Sequence, residues 1–284
     1  MSPSLPLLAL IGASVLWGLT WLPLKVLGKL GVSGPLLAGL AFGAAGLVLL
    51  PHLLGQRRQW RGRGGGLLLI ALLGGYANVA FAVAMMQGEV VRVMVLFYLL
   101  PVWGVLGGRL FLGESLDRIR VSAAMAALAG ALLIVGQDGG LLGALRFTDV
   151  LAITCGMSFA GNNLVFRARQ ELPVASKVAA MMLGAGLIGW LAIPFDPHAG
   201  LPLTVTATAW TLAYGVGWLL VATIGTQYGV THMEAGRASV IILLELVTAV
   251  ISAVLIGGET LSIYDAAGGM LIITAAIVEA RRPG

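Results

Sequence analysis

Glu245 is a carboxylate inside a long apolar segment. It lies eight residues after Arg237 and 14 residues before Glu259, which is about 12 Å and about 21 Å along a helix that rises 1.5 Å per residue. A charge that deep in a membrane is costly and is by default a functional candidate. Glu245 could bind a substrate ammonium group or take up a proton during a transport cycle. A structural hydrogen bond between helices is the equally weighted alternative.

Aromatic side chains form the second candidate set. Trp17 and Trp21 are four residues apart, so they share one face of a helix. Tyr214 and Trp218 repeat that spacing. Such rings could line a cavity for flat apolar substrates, by stacking and by cation–π contact with an ammonium group, although ordinary helix packing is the alternative for each ring. The aromatic residues predicted to bind substrate are Trp17, Trp21, Tyr76, Tyr98 and Trp218.

Three asparagines within apolar segments complete the predicted substrate site: Asn78, Asn162 and Asn163. A side-chain amide can bind the carboxylate or the ammonium group of an amino acid. It can equally join two helices, where a hydrogen bond contributes about 0.6 kcal/mol. Both interpretations stay open for all three residues.

Charged residues also recur where apolar segments end. Glu89 and Arg92 are three residues apart, as are Glu234 and Arg237, so each pair is expected to form an ion pair on one helix face. Glu114 and Glu259 each follow a glycine. These two carboxylates are expected to cap the helix that comes next.

The composition places most of the chain in lipid. Of 284 residues, 59% are hydrophobic and only 10% are charged, against about 25% charged in soluble domains. The 41 glycines favour close helix packing in a membrane. The net charge of +5 does not indicate nucleic-acid binding, because the basic residues lie between apolar segments. The single cysteine, Cys155, excludes an internal disulfide.

Apolar segments of about 20 residues each predict ten membrane-spanning helices. Their approximate bounds are 5–27, 35–54, 66–86, 91–112, 118–136, 148–168, 174–194, 207–229, 236–257 and 263–280. With both termini in the cytoplasm, 13 of the 17 basic residues fall on the inner side. The positive-inside rule therefore predicts this orientation, with Lys25, Lys29, Arg92 and Arg146 outside.

The chain also nearly repeats itself. A shift of 145 residues gives 12 identities over 43 positions, when residues 89–131 are compared with 234–276. A repeat with an odd number of spans must be inverted relative to its partner, an arrangement known in secondary transporters. We therefore expect an all-α polytopic membrane protein with two inverted five-helix repeats, residues 1–140 and 141–284.

These repeated segments resemble the EamA-type branch of the drug/metabolite transporter superfamily. The first copy reads Leu99-Leu100-Pro101-Val102 and later Gly113-Glu114-Ser115-Leu116; the second reads Leu244-Glu245-Leu246-Val247 and later Gly258-Glu259-Thr260-Leu261. Leu246 stands where this resemblance expects a proline, which puts a bend in the ninth helix in doubt. The segment Leu16-Trp17-Gly18-Leu19-Thr20-Trp21 is also similar to the family pattern.

Within this superfamily the chain looks most like bacterial exporters of aromatic amino acids. The resemblance implies a monomeric inner-membrane carrier that exports amino acids and related metabolites by alternating access, without a cofactor. Drug cations, nucleobases and sugar conjugates are the alternative substrates. An enzyme is less favoured, because the sequence has no metal-ligand cluster and no nucleophile–base constellation, and the lack of a P-loop argues against nucleotide hydrolysis. A channel is also less favoured, and conductance above carrier rates would reveal it.

Overall fold

The computed structural model describes residues 4–113, 118–136, 145–197, 203–232 and 241–280. Regular structure in these ranges is helical throughout, which confirms the predicted all-α class. We number the spanning helices 1 to 10. Their bounds are Ser4–Gly18 with Trp21–Lys29 (helix 1), Gly34–Gly55 (2), Gly64–Gln87 (3), Val90–Phe97 with Leu100–Leu112 (4), Arg118–Gly136 (5), Phe147–Ala168 (6), Val174–Phe195 (7), Val205–Ala213 continued by Tyr214–Leu219 and Leu220–Thr231 (8), Leu244–Leu255 (9) and Ile263–Ala280 (10).

The observed helices follow the predicted segments closely. Helices 1, 2, 3, 4, 7 and 8 are long and apolar enough to cross a membrane, and shorter apolar helices lie in helices 5, 9 and 10. Residues 236–240, the first part of the predicted ninth segment, lie outside the described residues. A four-residue helix, Arg57–Trp60, connects helices 2 and 3.

The packing of the helices reflects the internal repeat. Helix 1 packs against helices 8 and 9, and its repeat partner, helix 6, packs against helices 3 and 4. Helix 2 packs on helix 7, and helix 5 packs on helix 10. The contacts of helix 1 with helices 8 and 9 therefore correspond to the contacts of helix 6 with helices 3 and 4, as two five-helix repeats require.

Small residues allow this close packing. An added Cβ at Gly75 would lie 2.7 Å from the backbone of Gly184 on helix 7, and one at Gly130 would lie 2.5 Å from the carbonyl oxygen of Gly268 on helix 10. No larger side chain fits at these crossings. In lipid, van der Waals contact of this kind is a main source of helix association.

Helices 4 and 9 are interrupted at equivalent positions. Helix 4 breaks at Tyr98 and Leu99, just before Pro101, and helix 9 has a turn at Leu243, which the repeat aligns with Tyr98. Proline explains the first break, because it lacks an amide donor. The second interruption forms without a proline, since Leu246 stands in its place.

Candidate functional site

Helix 1 meets helix 9 at Glu245. The first part of helix 1 ends at Gly18, and an added Cβ there would lie only 2.6 Å from the Glu245 carbonyl oxygen and 2.6 Å from Cβ of Thr248. Glu245 is partly buried and lies in the first turn of helix 9. The positive end of that helix dipole favours a negative charge at this place.

Tyr98 of helix 4 reaches the same carboxylate. Its hydroxyl group donates a hydrogen bond to the carbonyl oxygen of Ile242 at 3.4 Å and lies close enough to the Glu245 carboxylate to interact with it. Tyr98 is only 3% exposed. Breaks in helices 1, 4 and 9 therefore converge on one carboxylate, and discontinuous helices of this kind form substrate sites in other transporter folds.

Helix 8 holds the break in helix 1 in place. The Thr20 amide donates to the carbonyl oxygen of Trp17 at 3.1 Å, which leaves the Leu16 carbonyl outside the regular helical pattern. The indole nitrogen of Trp218 donates to this Leu16 oxygen at 3.1 Å. Trp218 belongs to a π-helical segment, Tyr214–Leu219, and π-helical turns are frequent at functional sites.

The other aromatic side chains around this break also bond between helices. The Trp17 indole donates to the Thr226 hydroxyl at 3.2 Å, and the Trp21 indole donates to the Ser252 hydroxyl at 2.9 Å. The hydroxyl groups of Thr20 and Tyr214 lie 3.1 Å apart. The indole N–H groups thus fix helix 1 to helices 8 and 9. Apart from helical spacing, nothing in the sequence had indicated Thr226 and Ser252 as the partners of these indoles.

The remaining predicted residues lie elsewhere, between helices 3 and 6. The Tyr76 hydroxyl bonds to Thr154 at 2.8 Å, with Tyr76 37% exposed. The Asn78 amide donates to the Gly74 carbonyl oxygen of its own helix at 2.7 Å. Asn162 is buried, its side-chain oxygen has no hydrogen-bond partner, and Asn163 is exposed. The structure therefore divides the predicted site into two groups.

An aromatic cluster that the sequence analysis missed connects these two groups. The ring of Phe97 contacts Phe81 of helix 3 and Phe159 of helix 6, with centroids 5.4 Å and 5.8 Å away. It also lies edge-on to Tyr98, 5.4 Å between centroids. The signal in the sequence was its position directly before Tyr98, at the end of the first part of helix 4.

A cavity of about 300 Å³ opens between the second part of helix 1 and helix 8. Of the residues predicted to bind substrate, its lining includes Trp218 alone, and it does not include Glu245. Its walls are almost wholly apolar, and they consist of Pro23, Val26, Leu27, Trp210, Ala213, Tyr214 and Trp218.

Polar contacts join the two repeats at the far end of helix 9. The Glu259 carboxylate accepts hydrogen bonds from the amides of Val90 and Val91 at 2.7 Å and 3.0 Å. Beside these bonds, and within the first repeat, Lys25 donates to the Gly88 carbonyl oxygen at 2.6 Å. The expectation that Glu259 caps the next helix was wrong, since it caps helix 4 of the other repeat. We call these contacts of Glu259 and Lys25 the terminal latch; Glu114, its repeat equivalent, lies outside the described residues.

The ion pairs near this latch also differ from those expected. Arg92 does not pair with Glu89 but binds Asp149 of helix 6 through two nitrogens, at 2.7 Å and 2.8 Å, with both side chains buried. Glu89 binds Arg146 instead, at 2.8 Å on the surface. Tertiary contacts have replaced the local pairing. The corresponding pair of Glu234 and Arg237 lies outside the described residues.

Comparison with known proteins decides the family. The model of the EamA-like transporter family matches residues 4–136 and again 146–279. The chain belongs to the EamA-like transporter family. The two matches also account for the internal repeat. This EamA-like protein is therefore a multi-pass membrane protein and a transporter of small substrates rather than an enzyme. Within the described residues, no group of three His, Cys, Asp or Glu side chains could hold a metal ion.

The fold also has a solved counterpart. A structure described as "Crystal structure of protein" superposes on this EamA-like chain with a TM-score of 0.64 and 22% sequence identity. The match covers 96% of this chain and 95% of the other. The similarity is one of fold. No curated protein matches the sequence significantly.

Proposed function

We propose that this transporter exports amino acids, aromatic ones included, and related small metabolites by alternating access. The observation that carries the proposal is the Glu245 carboxylate, placed where breaks in helices 1, 4 and 9 converge. A carboxylate in this position attracts a substrate ammonium group. Nearby aromatic rings supply surfaces for stacking and for cation–π contact.

The aromatic cluster supports a substrate with a flat apolar part. Phe97 lies directly beside Tyr98 and extends the site towards helices 3 and 6 through Phe81 and Phe159. Asn162, whose buried side-chain oxygen has no partner, lies on the same helix 6. An amide in that place can bind the polar end of an amino acid when the site opens.

The terminal latch supports alternating access. Glu259 belongs to the second repeat, and the amides it binds belong to the first. Breaking these bonds would let the ends of helices 4 and 9 separate. We infer that the latch closes one end of the transport path, and that residues 1–140 and 141–284 move against each other when it opens.

The remaining parts of the proposal concern the cellular setting. We propose that the protein lies in the inner membrane of a bacterial cell with both termini in the cytoplasm; the bias of basic residues supports this orientation. Each chain contains both repeats, so a monomer is sufficient for function. Glu245 is the proposed site of proton coupling, if export is driven by a proton gradient.

The test is transport by the purified protein in lipid vesicles. We expect exchange of labelled phenylalanine across the vesicle membrane, and we expect Glu245→Gln and Trp17→Ala each to reduce it about tenfold or more. Glu171→Gln, at an exposed loop carboxylate, is the matched control. Full exchange by both site variants would contradict the proposed site. An imposed pH gradient that accelerates wild-type flux, but not Glu245→Gln flux, would support proton coupling.

Competition with unlabelled compounds tests the substrate class in the same vesicles. Amino acids are expected to inhibit exchange, with aromatic ones strongest. Inhibition by drug cations, nucleobases or sugar conjugates, without inhibition by amino acids, would replace the proposed substrate with one of those classes.

A further inference from the structure

Three arginines surround a pocket at the connection between helices 2 and 3. The pocket has a volume of about 460 Å³ and is lined by Arg57, Arg58, Trp60 and Arg61. All three arginines are exposed. This pocket is remote from Glu245 in the sequence and has no place in the transport mechanism described above.

Fixed contacts hold this connection against the helices. The Trp60 indole donates to the Leu53 carbonyl oxygen at 2.9 Å, and its ring packs on an apolar cluster that includes Leu67 and Leu172. Gln56 accepts a hydrogen bond from Ser176 of helix 7 at 2.7 Å. The arginines therefore project from an anchored turn rather than from a free loop.

Within the described residues, no carboxylate pairs with the arginines of this turn. In the ranges that the structure describes, the ion pairs involve Arg92, Arg146 and Arg169, and none involves an arginine of the pocket. The sequence from 51 to 66 contains four arginines, the fourth being Arg63, and no Asp or Glu. A concentrated positive charge of this kind favours an anionic ligand with several acceptor oxygens.

The location of the pocket at the end of two membrane-spanning helices indicates which kind of anion it binds. The turn directly joins the ends of two membrane-spanning helices, which places the arginines at the level of lipid headgroups. Trp60 sits at the same level, where tryptophan is enriched in membrane proteins. We propose that this pocket binds the phosphate of an anionic phospholipid headgroup, with the arginines as ligands and Trp60 as the anchor of the site.

Native mass spectrometry of the full-length protein in a neutral detergent tests this proposal. Because the measurement uses purified protein, an effect of arginine loss on membrane insertion in the cell does not influence the result. Phosphatidylglycerol should bind more tightly than phosphatidylcholine. Arg57→Gln combined with Arg61→Gln should weaken the tightest phosphatidylglycerol binding about thirtyfold, because each basic group near an anionic headgroup contributes a factor of about five.

A second double variant controls for the loss of two charges. Arg109→Gln combined with Arg118→Gln removes two exposed arginines from other helix ends and should leave the tightest binding unchanged. An equal loss in both double variants would overturn the proposal, as would equal binding of the two phospholipids by the wild type. Inorganic phosphate is the third arm. If it binds as tightly as phosphatidylglycerol, the pocket is a site for a free anion and the lipid assignment is wrong.

Discussion

Tyr98 of the first repeat lies beside the Glu245 carboxylate of the second repeat. Tyr98 is at the break of helix 4, and Glu245 is in the first turn of helix 9. The repeat aligns Tyr98 with Leu243 and Glu245 with Leu100. The contact between Tyr98 and Glu245 therefore uses two residues whose repeat equivalents are both apolar, so this part of the site is not symmetric.

Tyr98→Phe should lower the transport rate about tenfold, because the Glu245 carboxylate loses its neighbouring hydroxyl group and the Ile242 carbonyl oxygen loses its donor. Initial rates in vesicles, divided by the amount of inserted protein, measure the effect. Tyr264→Phe, at a half-exposed tyrosine of helix 10, is the control. Unchanged rates in Tyr98→Phe would show that the Tyr98 hydroxyl group has no role in the cycle.

Gly18→Ala should destabilise the protein by about 1–3 kcal/mol, since the new Cβ would press on the backbone of helix 9 at Glu245, which cannot yield as a flexible side chain can. The control lies on the same helix. An added Cβ at Gly12 meets nothing within 4 Å, so Gly12→Ala should be neutral or slightly stabilising. Thermal unfolding in detergent compares the two, and equal shifts would contradict the close helix contact.

Glu259→Gln should open the terminal latch, because the neutral side chain cannot bind both amides of helix 4 through carboxylate oxygens. A thiol in place of the buried Ser252 hydroxyl, seven residues before Glu259 and bonded to Trp21, reports the opening. In a Cys155→Ser background, Ser252→Cys should react with a maleimide about tenfold faster when Glu259→Gln is added.

The latch experiment has its control at the same turn. Glu89→Gln removes an exposed carboxylate that pairs with Arg146, so it should leave the maleimide rate unchanged. If both variants raise the maleimide rate equally, the cause is the change in net charge, and opening of the terminal latch does not explain the result.

Arg92→Leu or Asp149→Leu alone should cost about 3–5 kcal/mol, because each leaves one buried charge without its partner. The double variant should cost less than either single one. Arg146→Gln breaks an exposed pair and should cost less than about 1 kcal/mol. Unfolding in denaturant measures all four, and additive losses for the buried pair would contradict this account.

The symmetric scaffold was largely predictable from the sequence. Segments of about 20 apolar residues set the number and bounds of the helices, because the thickness of a bilayer fixes helix length. The two Gly-Glu pairs, Gly113-Glu114 and Gly258-Glu259, indicate the internal repeat and its shift of 145 residues. The role of Glu259 was not predictable. Its local sequence suits a cap for helix 10, and only packing shows that the amides of Val90 and Val91 are closer.

What the sequence by itself determined was the class: an all-helical membrane protein with an internal repeat and a carboxylate inside its ninth apolar segment. Hydropathy, spacing and identity between copies are local properties and can be read along the chain. The tertiary structure decided which side chains meet. It separated Trp17, Trp21, Tyr98, Trp218 and Glu245 from the asparagines of helices 3 and 6, and it paired Arg92 with Asp149 rather than Glu89. Such pairings depend on how helices cross, and crossing is set by packing between segments distant in the sequence.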